Sequence, residues 1–198
     1  METTNQILED SVFDKTTPYA LLTWVRAIVA NRLASSVEEW THLFQKENSG
    51  IYNNQYMILD LNLIDLKNKT IPEKSLMIIE QIPGEMEIND VTNVLKEGYW
   101  TSYNIPYSEK LYNICGYLEI LNDTKNIPNY DYNNCSRANI FRREQKNIKN
   151  IEDFKNVMRY NDFKNDKESN NEPSLTIACR YDLRYELERQ HCYGATDA

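Results

Sequence analysis

The chain has 198 residues, 41% apolar and 26% charged, a balance that supports a buried core and assigns residues 1–198 to one domain. A formal charge of −8 and a pI near 4.9 argue against nucleic acid or an anionic membrane surface as the main partner, because both reward basic patches. No apolar run approaches the roughly 20 residues of a transmembrane segment, and the opening residues Met1-Glu2-Thr3-Thr4-Asn5 have neither the basic nor the apolar region of a secretory leader.

Residues 2–8 read as a short strand. Thr17 followed by Pro18 fits an N-cap with proline at the first helical position, and Leu21, Leu22, Val25, Ile28, Val29 and Leu33 then recur at helical spacing. Ser36 with Glu39 forms a capping box for a second helix, in which Trp40, Leu43 and Phe44 share a face. It ends in a polar, amide-rich turn, Asn48-Ser49-Gly50, from which Asn53, Asn54 and Gln55 lead into an apolar stretch.

Residues 55–66 and 75–82 read as strands paired antiparallel across a turn at Asn68-Lys69. Both are apolar at consecutive positions, so the sheet is expected to be covered on both faces. Pro83-Gly84 ends the second strand, and Asn89 or Asp90 caps a short helix through Val91, Val94 and Leu95 that Gly98 terminates. Residues 99–107 are aromatic and irregular, and 122–134 are polar and turn-prone. Ser136 caps a helix through Ile140 and Phe141, residues 151–160 form another, residues 161–173 form a charged loop, and residues 175–179 restore a strand. The order of elements gives an α+β fold.

No serine-hydrolase elbow, phosphate loop, dinucleotide glycine pattern or H-E-x-x-H is present, and Cys115, Cys135, Cys179 and Cys192 form no C-x-x-C pair. Neither a cofactor nor a metal is called for. His191 beside Cys192 suggests a Cys-His pair, but adjacent strand residues point to opposite faces, which discounts it. Three N-glycosylation sequons begin at Asn68, Asn122 and Asn134, all in expected turns.

Ordered segments across nearly the whole chain carry a family resemblance. They include Glu2-Thr3-Thr4-Asn5, Trp24-Val25-Arg26, Asn48-Ser49-Gly50-Ile51-Tyr52-Asn53-Asn54-Gln55, Glu80-Gln81-Ile82-Pro83-Gly84, Gly98-Tyr99-Trp100, Phe141-Arg142-Arg143 and Arg159-Tyr160-Asn161-Asp162-Phe163. The chain resembles the C-terminal part of a phospholipase B-like protein and covers less than half of the usual family chain. The resemblance implies an αββα sandwich of the N-terminal-nucleophile (Ntn) hydrolase type, a cysteine nucleophile exposed by internal cleavage, and a free α-amino group as its base. No cysteine stands at Met1, so the nucleophile is expected upstream and the chain reads as a truncated or partial product.

By analogy with the acylase group that this family resembles, Asn5 and Asn48 are expected to donate to the oxyanion, with Arg137 orienting or electrostatically supporting the nucleophile. Ile51, Tyr56 and Ser136 depart from the Thr, Trp and Pro common in the family, which puts the pocket rather than the fold in question. The implied substrate is a phospholipid or another acyl compound, cleaved at an ester or amide bond in lipid degradation. The implied partner is a separate N-terminal chain, and the implied setting is secreted or lysosomal, with glycans on the sequons. The competing reading is a non-catalytic remnant that binds lipid or another protein.

Overall fold

A computed structural model describes residues 1–123 and 128–184, which fall into two compact units within 1–124 and 125–198. In the first unit, four antiparallel strands lie in sequence order: β1 (Glu2–Thr4), β2 (Asn54–Leu59), β3 (Leu76–Ile82) and β4 (Glu85–Asp90). Register pairs Thr3 with Gln55 and Gln55 with Glu80, so the polar side chains of three strands fall in one row on one face.

The expectation of a sheet covered on both faces holds for β3, every residue of which is buried. On one face, α1 (Thr23–Leu33) and α2 (Val37–Phe44) pack Ala30 and Phe44 on Tyr56 and Ile79, with Phe44 stacked on Trp40 at 4.7 Å. On the other, Leu76, Ile78 and Val91 collect Met57, Leu95, Trp100 and Tyr107. The described residues thus contain one sheet with helices, a mixed α and β architecture, rather than the two stacked sheets of a complete αββα sandwich.

The first helix starts at Thr23, later than Thr17-Pro18 suggests, because residues 18–20 bend and Leu21 bridges Asn48. Thr17 N donates to Ser49 O (3.1 Å) and Leu21 N to Glu47 O (3.2 Å), which removes that segment from the helix. Ser36 does cap α2, accepting from Glu39 N at 3.2 Å, but the Glu39 carboxylate reaches back to Ser35 N at 2.8 Å rather than to Ser36. β2 stops at Leu59 instead of 66, and residues 60–70 form turns closed by an Asp65–Thr70 bridge.

β4 is unanticipated: residues 85–90 return from the Pro83-Gly84 turn, where Gly84 has φ +74°, and pair along β3 from Ile82↔Glu85 to Met77↔Asp90. Asp90 then accepts from Thr92 N (2.9 Å) at the start of α3 (Thr92–Leu95), and Gly98 closes that turn on Leu95 O (2.9 Å). The irregular aromatic segment gives way to α4 (Glu109–Ile114) and α5 (Tyr117–Asp123), so Asn122 stands on a helix rather than in a turn.

The second unit contains α6 (Ser136–Glu144) and α7 (Ile151–Met158). Ser136 is the first residue of α6 rather than its cap, a place taken by Cys135. The strand expected at 175–179 is absent. Residues 173–178 wrap around Asn161, whose Nδ2 donates to Pro173 O (2.8 Å), while Ala178 N donates to Tyr160 O (3.0 Å). A short apolar run with no strand beside it finds its hydrogen bonds locally. The His191-Cys192 pair lies outside the described residues.

Candidate active site

Asn5 follows the last residue of β1 and is anchored by its backbone N–H to Asn53 O at 2.9 Å. Asn48 sits at the same end of the sheet, its Nδ2 donating to Ile82 O at 3.0 Å and more distantly to Glu85 O at 3.4 Å, its Oδ1 accepting from Gly50 N at 3.0 Å. Continuing the β2–β3 register by two residues brings Asn53 opposite Ile82, so Asn5 and Asn48 flank one end of the sheet. Gly50 between them has φ +74°, and a Cβ there would stand 3.0 Å from Pro83, so the turn admits no side chain.

The two asparagines differ in how their amides are used. Asn48 is engaged on both ends by the turn and the β3–β4 hairpin. Asn5 is only 3% exposed, yet neither its Nδ2 nor its Oδ1 completes a hydrogen bond. It lies against Glu80, a fully buried carboxylate at the centre of β3. Gln55 Nε2 (2.9 Å), Tyr107 N (2.8 Å) and Ser108 N (2.7 Å) donate to Glu80. Burial pushes the Glu80 carboxyl above the ordinary carboxylate range, and these donors, with the Asn5 amide, pull the other way.

On the opposite face of β3, Gln81 binds the turn that precedes β2. Its Nε2 donates to Ile51 O (2.9 Å) and Asn53 Oδ1 (3.4 Å), and Thr23 Oγ1 reaches the same Ile51 carbonyl at 2.7 Å. Its Oε1 accepts from Arg26. The Arg26 guanidinium, buried among neutral acceptors, also donates to Phe44 O (2.5 Å), Leu21 O (3.3 Å) and Thr23 Oγ1 (3.2 Å), and stands 4.5 Å over the Phe44 ring. Burial lowers its pKa below the usual guanidinium value. The amide-rich turn is therefore held from beneath by residues that sequence reasoning passed over. Their one visible signal is a pair of adjacent polar side chains, Glu80-Gln81, inside an apolar strand.

Arg137 lies in the second unit, one residue into α6. Its charge favours the ionised forms of Cys135 and Tyr181, although burial dominates and raises both pKa values. The buried Cys115 thiol is pushed up to about 12 by burial and then by the Glu80 charge. Such a thiol is almost wholly protonated at neutral pH and is a poor nucleophile. Among the described residues no group of three or more His, Cys, Asp or Glu is placed to hold a metal ion, and no helix is long and apolar enough to cross a membrane.

On the α1 face, an open apolar cleft of about 1030 Å³ runs along the β1–β2 edge, lined by Trp24, Ile28, Trp40, Tyr52, Tyr56 and Ile58 among others. Trp24 on its wall is 63% exposed. Of the sequon asparagines, Asn68, Asn122 and Asn134 are all exposed, although Asn68 and Asn134 each donate to a neighbouring aspartate, Asp65 (2.7 Å) and Asp131 (2.9 Å).

A family profile described as Phospholipase B matches residues 1–198. Phospholipase-B 81 of Drysdalia coronoides is 43% identical over 185 residues, 93% of this chain and 33% of the relative. Phospholipase B-like 1 of Bos taurus is 43% identical over 183 residues, 92% of this chain and 33% of the relative. Phospholipase B-like protein B of Dictyostelium discoideum is 41% identical over 199 residues, 100% of this chain and 34% of the relative. The chain spans about one third of the length of these curated relatives.

Proposed function

The chain belongs to the phospholipase B family, and from that membership we propose that it supplies the electrophilic side of a hydrolase cleaving acyl ester or amide bonds of phospholipids. The fold is read as part of an Ntn-type αββα sandwich, and the attacking cysteine is assigned to the stretch of the relatives that this chain does not span. Attack on an acyl carbonyl places negative charge on its oxygen, and fixed N–H donors in a water-poor setting stabilise that charge. Asn5, Asn48 and Arg137 are the proposed site residues. The observation that carries the reading is the Asn5 amide, buried with both polar atoms unsatisfied, on a chain matched throughout by the family. A buried amide in that state is suited to a ligand. Asn48, already bonded on both ends, serves in this reading mainly to hold the turn.

The apolar cleft suits an acyl chain, and the exposed sequons suit a secreted or lysosomal glycoprotein. Passage of the chain through a secretory pathway behind a leader is expected to place glycan on at least one of Asn68, Asn122 and Asn134, and peptide mapping checks it.

The decisive experiment combines the 198-residue chain with the part of the bovine relative that it does not cover and measures fatty-acid release from phosphatidylcholine. The chain alone is expected to be inactive. The assembled pair is expected to hydrolyse, with Asn5→Ala lowering kcat by roughly 10²-fold or more. A stable pair that binds vesicles without hydrolysis would favour the non-catalytic remnant, and turnover by the chain alone would place a nucleophile within it.

A further inference from the structure

Glu80 and Gln81 are neighbours in β3, and the pleat sends them to opposite faces of the sheet. Gln81 holds the residue 51–53 turn through Ile51 O and Asn53 Oδ1. Glu80 faces Asn5, Gln55, the backbone N–H groups of Tyr107 and Ser108, the Cys115 thiol and, across on β4, Glu87, which Lys110 engages; no cation bonds Glu80 among the described residues. A carboxylate accepts hydrogen bonds and cannot donate one, whereas a carboxamide has a donating and an accepting end. An ionised Glu80 therefore discriminates between the two orientations of the amide beside it. It attracts Nδ2 and repels Oδ1. The Nδ2 group carries two protons, so directing one toward Glu80 leaves the second free to point elsewhere.

We infer that Glu80 is the positioning residue of Asn5, fixing its carboxamide with Nδ2 toward the carboxylate and the second N–H available to an acyl oxygen. Three observations converge on it. The β1–β2–β3 register puts Thr3, Gln55 and Glu80 in one row, and Asn5 follows on the same side of β1 as Thr3. Glu80 is fully buried and held rigidly by donors from Gln55, Tyr107 and Ser108, so its place does not wander. Asn5 is buried and has no other completed side-chain bond that could set its orientation. Its catalytic meaning rests on reading Asn5 as an oxyanion donor; the orientation itself does not.

The test is nuclear magnetic resonance on the 198-residue chain, with the Asn5 side-chain NH₂ signals identified by their loss in Asn5→Ala. In Glu80→Gln, whose own amide can present either end, the Asn5 signals are expected to shift and their solvent exchange to quicken by about tenfold or more, while the backbone amides of β2 and β3 stay in place. If only the Tyr107 and Ser108 amides respond, Glu80 merely pins that turn and the inference fails. A reciprocal measurement covers the case in which Glu80→Gln does not fold. The Glu80 carboxyl carbon, followed through its titration, is expected to have a higher pKa in Asn5→Ala than in the unaltered chain, and an unchanged value would overturn the inference. Neither readout uses hydrolysis, so an inactive protein leaves the result intact. An active one with an indifferent Asn5 rejects only the role of Glu80.

Discussion

Two buried carboxylates, one in each unit, have been taken out of water by different means. Glu80 in the first unit is bonded only to neutral donors, and burial raises its pKa despite them. Asp166 in the second unit takes a two-pronged contact from Arg143, at 3.1 and 2.7 Å, and a third bond from Tyr160 Oη at 2.8 Å. The Arg143 guanidinium heads the causes that hold Asp166 down at about 2. Neutral N–H groups leave an acid poised, whereas a facing guanidinium commits it to the charged form. The first arrangement suits a place where an amide must be steered, and the second suits a structural clasp.

The largest effect that would test this contrast is removal of the poised acid. Glu80→Ala leaves two buried donors and one partly buried donor without an acceptor, and is expected to cost the first unit about 3–5 kcal/mol in urea denaturation. A loss below about 1 kcal/mol would mean that water or another group replaces the carboxylate readily, and the site would not be rigid. Next comes the clasp. Asp166→Asn is expected to cost the second unit about 2 kcal/mol, a figure kept below the full linkage value because Arg143 is partly exposed.

Acid should then separate the two units by sign. Asp166 has a depressed folded pKa, so its stabilisation is complete above its ordinary value near ~4 and is lost as pH falls through about 2. Glu80 has a raised folded pKa, so its contribution is fullest below an ordinary value near ~4.3 and is lost as pH rises through the folded value. Hydrogen exchange at Ile79 in β3 and Phe141 in α6, measured from pH 7 to pH 3 and compared with Glu80→Gln and Asp166→Asn, reads each term by difference. The same sign in both units would break the comparison.

How much of this was legible in the sequence follows from where each residue's partners lie. Ser36 and Glu39 are three residues apart, and their cap is local. The Pro83-Gly84 turn is likewise written in two adjacent residues. β4 was missed although Met86 and Ile88 alternate toward the α1–α2 core, because its acidic alternate positions, Glu85 and Glu87, disguise it until Lys110 is seen bonding both, at 2.9 and 2.8 Å. Residues 175–179 look like a strand by composition and fail because no neighbour among the described residues offers a ladder. Glu80 and Arg26 could not be read as buried, since most of their partners are backbone groups and amides far along the chain. Asn5 and Asn48 came from the family resemblance, and sequence alone gave no means to tell an engaged amide from an unsatisfied one.

That last distinction yields the smallest expected effect and the finest probe of the comparison. Asn48→Ala removes two donated bonds and one accepted bond at a turn that Gly50 already constrains, and should cost about 1–2 kcal/mol. Asn5→Ala removes an amide that inclines toward Glu80 without completing a hydrogen bond at either end, while its backbone bond to Asn53 O is untouched. Its effect on stability should therefore lie within about 0.5 kcal/mol of zero, because the attraction to Glu80 and the cost of an incompletely paired buried amide offset one another. A residue that is neutral for folding yet buried beside that carboxylate is what the proposed role of Asn5 as a donor requires. If urea denaturation instead shows Asn5→Ala losing as much as Asn48→Ala, both Asn5 N–H groups are spent on structural bonds in solution, and the donor proposed for the acyl oxygen must be sought elsewhere in the row formed by Thr3, Gln55 and Glu80.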